Sequence, residues 1–214
     1  MSVDDPTLQT SPFKQFLLDV ITKGEAVNIM FEEKVFGLAG LLHRITDTLN
    51  AHSIPHEVVG GLAVMIYIEA ANPEHTTLTR DVDLMIDRSD LTRLKHASAE
   101  DGFRFRHTAG VDMLIYGAAE SARNAVHLLF AGEKVVPAQA TPNPSINPAH
   151  ADFLGKDVSI IPVPDLVQMK LSSYRLKDQV HIKAMDAAGL ITPDVERCLT
   201  LELAARLEHV RATP

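Results

Sequence analysis

The stretch Thr79-Arg80-Asp81-Val82-Asp83-Leu84-Met85-Ile86-Asp87 constrains this chain most, because it sets two carboxylates on an otherwise apolar strand. Strand residues alternate between faces, so Asp81 and Asp83 project together while Val82, Leu84 and Ile86 enter a core. Neighbouring carboxylates repel and resist burial unless a cation lies between them. A hard divalent ion, Mg²⁺ (or Mn²⁺), meets that need through oxygen ligands. An edge strand with a polar face is the alternative for a bare Asp-x-Asp. Upstream, the apolar run His56–Val59 stops at Gly60-Gly61, and the helical segment Leu62–Ala71 follows.

That order of parts, a strand ending in Gly-Gly, a helix, then Asp-x-Asp, resembles the nucleotidyltransferase superfamily. Gly-Gly-x-Ala followed by Thr-Arg-Asp-x-Asp is similar to a small bacterial branch of toxin-type transferases related to AbiEii. The resemblance implies an α/β (α+β) fold, a nucleotidyltransferase-type mixed sheet flanked by helices with a helical C-terminal part. It implies that Gly60 and Gly61 hold nucleotide phosphates and that Asp81 and Asp83 bind the metal. Glycine suits such a turn: a Cβ would hinder close approach of the backbone, and the freed N–H groups can face an anion. The helix that follows adds its positive end.

The family adds a third carboxylate on a later strand, and the matching strand here, Val126-His127-Leu128-Leu129-Phe130, carries His127 instead. A neutral imidazole can ligate a divalent ion or accept a proton, so His127 is a candidate third ligand or base. A structural core histidine is the competing reading. A second resemblance to the same branch is Asp165-Leu166-Val167-Gln168-Met169-Lys170-Leu171 with Arg175-Leu176-Lys177-Asp178. On one continuous helix Lys170, Tyr174, Lys177 and His181 would share a face, with Lys170 and Lys177 as phosphate contacts. A solvated stripe paired with Asp165 and Asp178 is the alternative. Asp87, Asp112 and Glu133 are spare carboxylates, read respectively as a helix-capping or exposed residue, a turn residue and a loop residue.

The chain has 214 residues, an ordinary apolar fraction of 46 % and a net charge of −8. That charge argues against broad affinity for nucleic acid. The single cysteine, Cys198, excludes an internal disulfide and a cysteine-built zinc site, and its helical surroundings predict a packing role. His52 and His56 have helical zinc spacing, but Pro55 between them breaks the shared face. Neither Gly-x-Ser-x-Gly nor a phosphate-loop Gly-Lys-Ser/Thr occurs. The acidic N-terminus lacks a signal-type apolar region and no apolar run is long enough to span a bilayer, so a cytoplasmic protein without membrane partners is expected.

Periodicity predicts helices over 13–20 and 38–49, the latter with the stripe Leu38, Leu41, Leu42, Ile45 and Leu49. Ser89 offers an N-cap for a helix to about Ala99. Phe103–His107 and Asp112–Tyr116 form an expected hairpin, Ala125–Ala131 a buried strand and Asp157–Ile161 a short one. Helices are expected from Pro164, over 177–188, and from Pro193 to Glu208. Four prolines between Pro137 and Pro148 predict an extended connector. The expected organisation is a core over 1–136, a connector over 137–156, and a short strand plus helices over 157–214.

From the resemblance follows metal-dependent transfer of a nucleoside monophosphate from an NTP to an RNA 3′ end or a protein hydroxyl, with an antitoxin-type partner. A catalytically silent nucleotide- and metal-binding module of the same fold is the alternative, raised by His127.

Overall fold

A computed structural model of the chain describes residues 37–72, 79, 81–117 and 125–213. The chain divides into residues 1–37 and 38–214, and every element below belongs to the second unit. The helix expected over 13–20 and residues 73–78 of the loop before Thr79 lie outside the described residues.

The sheet forms around strands that alternate or run apolar. In chain order the elements are helix α1 (38–51), β1 (His56–Val59), α2 (Gly60–Ala71) and β2 (Val82–Ile86), then a 3₁₀ turn (Arg88–Asp90) leading into α3 (Leu91–Glu100). After them come β3 (Phe103–Thr108), β4 (Val111–Tyr116), β5 (Ala125–Phe130), β6 (Ala149–Phe153) and β7 (Lys156–Ile160). Four helices end the chain: α4 (Val163–Ser173), α5 (Leu176–Ala187), α6 (Pro193–Arg197) and α7 (Leu201–Ala212). The seven strands lie in the order β3-β4-β5-β2-β1-β7-β6. β2 runs parallel to β5 and β1 parallel to β7, while the other pairs are antiparallel. This is the mixed sheet with flanking helices that the sequence leads one to expect.

Val82, Leu84 and Ile86 of β2 are fully buried, as alternation requires. The α1 stripe Leu42, Ile45 and Leu49 is equally buried. Helix α2 is apolar nearly all round because it packs on β1 and β2 on one side and on α4 and α5 on the other. No helix among the described residues is long and apolar enough to cross a membrane.

Several expectations need correction. Asp81 precedes the strand rather than opening it, because β2 begins at Val82. Ser89 caps nothing: it sits inside the 3₁₀ turn, and α3 starts at Leu91 without a side-chain cap. Ala149–Phe153, inside the expected connector, pairs with β7 as the edge strand β6. Asp112 is a strand residue, paired with Leu128, not a turn residue. The last helix is two, because Thr200 starts α7 afresh by accepting the Leu203 N–H at 3.3 Å. Cys198 falls in the break between them and is exposed, so it plays no packing role. Helix α4 also ends before Arg175, with Tyr174 in the left-handed region at φ 54°, so the continuous face running from Lys170 to His181 does not exist.

Candidate active site

The turn at the end of β1 and the strand β2 are built into one another. Val59 lies opposite Asp83 in the antiparallel register. Gly60 has φ 71°, and a Cβ there would sit 2.7 Å from Asp83 Cγ and closer still to Oδ2. Only glycine has both the conformation and the room. At Gly61 a Cβ would meet Thr79 Oγ1 at 2.7 Å and His181 Cε1 at 3.5 Å. Helix α2 starts at this turn, and its N-cap residue, Val59, supplies no side-chain cap to the leading N–H groups.

Parallel pairing of β2 and β5 sets His127 directly beside Asp83. His127 Nδ1 lies 3.2 Å from Asp83 Oδ1, and because an ionised carboxylate only accepts, Nδ1 carries the proton and donates. That hydrogen bond raises the His127 pKa against the opposing effect of burial, with help from the negative charges of Asp83 and Asp81. Asp81, half-exposed, has Lys177 Nζ 3.8 Å from its Oδ2.

Although α4 and α5 are separate, their cations meet at one carboxylate. Lys170 Nζ donates to Asp178 Oδ1 at 3.2 Å, and both side chains are buried. Arg175 Nε donates to Asp178 Oδ2 at 2.8 Å. Burial pulls the Lys170 pKa down, with Asp178 and Asp83 opposing. Burial would raise Asp178, but the Arg175 hydrogen bond and the Lys170 charge outweigh it and hold the carboxyl at about 2. The pair stays ionised because one carboxylate is shared by two cations. Behind Gly61, burial and the Lys170 charge depress His181 to about 4, so its ring is neutral. Its Nδ1 has no hydrogen-bond partner among the described residues.

Gly60, Gly61, Asp83, His127, Lys170 and Lys177 line one cavity of about 520 Å³. Asp81 stands beside it through Lys177. Among the described residues no group of three or more His, Cys, Asp or Glu side chains is placed to hold a metal ion. The cavity also takes in residues that the sequence reading did not put in a site. Arg175 and Asp178 stood in the Arg-x-Lys-Asp motif, and that spacing was the available signal. Arg88 and His107 carry no such signal, and the spare carboxylates Asp112 and Glu133, expected in a turn and a loop, are brought to the cavity from separate segments. Arg88 forks onto Glu133 at 2.8 and 2.5 Å and reaches Asp112 at 3.3 Å. Asp112 also pairs with His107 Nδ1 at 2.6 Å. Of the basic residues after β2, Arg93 holds Asp90 and the Ser53 carbonyl, while Lys95 lies over Phe105.

No protein-family model and no curated protein sequence matches the chain. Solved structures do. ANT(2")-Ia in complex with adenylyl-2"-tobramycin superposes with a TM-score of 0.54 at 16 % identity, over 81 % of this chain and 98 % of that one. An antigenic nucleotidyltransferase-like protein from Paracoccidioides brasiliensis gives a TM-score of 0.52 at 16 % identity, over 83 % and 87 %. The chain has a nucleotidyltransferase fold. At these identities the likeness concerns the arrangement of strands and helices.

Proposed function

We propose that the protein is a metal-dependent nucleotidyltransferase, which moves a nucleoside monophosphate from an NTP to an acceptor hydroxyl. The observation that carries this reading is the shared space of the Gly60 turn and the Asp83 carboxylate, at a cavity that also receives Lys170 and Lys177. A phosphate-sized anion and a carboxylate need a cation between them, and this turn puts the leading N–H groups of α2 next to acidic oxygens.

The donor set suits a single Mg²⁺ or Mn²⁺: Asp81 and Asp83 supply hard oxygens, and Mg²⁺ is commonly held by one or two carboxylates with substrate phosphates and water. When bound, the ion offsets charge on the phosphoryl oxygens. The residues of the chain do the rest. Gly60 and Gly61 present N–H groups to the β- and γ-phosphates. Lys177 and Arg175, on exposed stems, reach the same oxygens, and Lys170 adds positive charge from beneath. His127, its Nδ1–H given to Asp83, keeps Nε2 to take the acceptor proton or to serve as a third ligand. The acceptor oxygen bonds to the α-phosphorus, the bond to the bridging oxygen breaks, and pyrophosphate leaves.

Within this reading the toxin-type motifs support an RNA 3′ end or a protein hydroxyl as acceptor, with an antitoxin-type partner. The fold shared with a protein crystallised with adenylyl-2"-tobramycin supports a small-molecule hydroxyl. A second reading, nucleotide binding without transfer, is favoured by one observation: His127 is bonded to Asp83 where a third carboxylate is expected.

The test is incubation with α-labelled NTPs, Mg²⁺ or Mn²⁺ and candidate acceptors, comparing wild type with the Asp81→Ala/Asp83→Ala double variant. Label transfer that disappears in the variant is the expected result. Metal–NTP binding without transfer, restored to transfer by His127→Asp, would establish the silent module instead. Absence of NTP binding with either ion would refute both.

A further inference from the structure

The cavity has two chemically different ends. Around the Gly60 turn its charged walls are Lys170, Arg175 and Lys177, with Asp83 and Asp178 in the lining and Asp81 against Lys177. Its lining also takes in Val111, Leu129, Val135, Val136 and Met169, with Arg88 paired to Asp112 and Glu133. Asp83 stands near the start of β2 and Arg88 just past its end, so the two mark opposite ends of that strand. Arg88 is already committed there, to Glu133 and Asp112 through its nitrogens and to the Phe130 ring, 3.4 Å from its guanidinium carbon.

Strand order says which reactant uses that end. In-line displacement requires the attacking and leaving oxygens on opposite sides of the phosphorus. The phosphate turn belongs to β1, Asp83 to its neighbour β2, and His127 to β5 beyond it. Pyrophosphate held at β1 therefore departs on one side, and the acceptor must approach over β5. Leu129 pairs with Met85 as His127 pairs with Asp83, so it projects from the same sheet face one step further out.

Resting on the transferase reading, we infer that the acceptor is a small, uncharged hydroxyl compound with an apolar face, seated along Leu129, Met169 and Val136. A polynucleotide acceptor would bring one negative charge per residue and would need uncommitted cations along its path. Along Leu129, Met169 and Val136 the wall is apolar instead, and Arg88 is held by Glu133 and Asp112. Val135 and Val136, at 60 % and 52 % exposure, and Val111, at 40 %, are large apolar residues left open at the cavity, where such a compound would cover them.

The test uses the full chain and the fluorescent neutral probe 1-naphthyl β-D-glucopyranoside. The probe is titrated with and without Mg²⁺ and a non-hydrolysable ATP analogue, beside a short single-stranded RNA bearing a free 3′ hydroxyl. Binding of the glycoside is expected, weakened at least tenfold by Val136→Asp, with no RNA binding at 0.15 M salt. Because Val136 is exposed, that variant should fold, and unchanged affinity for the nucleotide analogue verifies it. Leu129→Asp serves as the second variant. Glycoside binding that is absent, or unchanged from wild type in both variants, overturns the inference, as does salt-dependent binding of the RNA, or its 3′ labelling in a parallel reaction with α-labelled ATP. Failure of the wild type to bind the nucleotide analogue counts separately, against the transferase reading.

Discussion

Replacing Glu57 by glutamine isolates a charge that the fold makes difficult to form. Glu57 lies on β1, fully buried, where its Oε1 accepts the Asn147 N–H at 2.5 Å and its Oε2 has no partner among the described residues. Burial raises its pKa from 4.5 to about 7, the Asn147 hydrogen bond opposes this, and the charge of Asp165 adds to it. A carboxyl that binds its proton more tightly folded than unfolded stabilises the fold fully below its unfolded value, and this advantage is lost as pH rises through the folded one. At about 1.4 kcal/mol per pH unit, the penalty amounts to about 1 kcal/mol at pH 5 and about 3 kcal/mol at pH 8. Glutamine keeps the carbonyl oxygen for Asn147 and cannot ionise. Glu57→Gln should therefore be stabilising by about 1 kcal/mol at pH 5 and about 3 kcal/mol at pH 8, a rise in Tm that grows from about 2–4 °C to about 6–12 °C for a domain of this size. The assay is thermal unfolding of both proteins at half-unit steps between pH 5 and 8, taking the difference at each pH so that other titrating groups cancel. Parallel Tm curves across that range would refute the reasoning, since Glu57 would then be ionised at no cost.

Gly60→Ala places a methyl against Asp83 at a left-handed φ, so a loss of about 1–3 kcal/mol by urea unfolding is expected together with loss of NTP binding. Wild-type affinity for NTP in that variant would contradict the shared space of turn and carboxylate. Asp178→Asn leaves the buried Lys170 ammonium without its counter-charge and should cost about 3–5 kcal/mol. The same unfolding measurement checks it. His181 has its pKa lowered from 6.5 to about 4, so its contribution is present above 6.5 and is lost as pH falls through 4. His181→Leu should remove about 3 kcal/mol of acid sensitivity over that interval, visible as a flatter stability curve between pH 6.5 and 4.

How much could be read beforehand depended on whether a feature is local. The alternation of Val82, Leu84 and Ile86 and the glycines after Val59 carry their own conformational reasons, and both elements stand where the pattern puts them. Tyr174 gives no such warning. No glycine or proline marks the break between α4 and α5; its left-handed backbone is held from afar, by a hydrogen bond from its hydroxyl to the Arg206 carbonyl and by the Arg206 guanidinium over its ring. Strand β6 is hidden for a related reason. Ala149-His150-Ala151-Asp152-Phe153 has no β-branched residue and follows a proline, and it exists because Leu154 and Gly155, both at positive φ, return the chain to pair it with β7. The Arg88–Asp112–Glu133 cluster needs three segments brought together, which no local spacing expresses. Register is where the local and the distant meet: Val59, Asp83 and His127 stand abreast on β1, β2 and β5. A slip of one residue in β2 would send Asp83 into the core and leave Leu84 beside His127. The buried alternate residues of β2 thus hold the carboxylate at the glycine turn, and core packing and the geometry of the site depend on the same pairing.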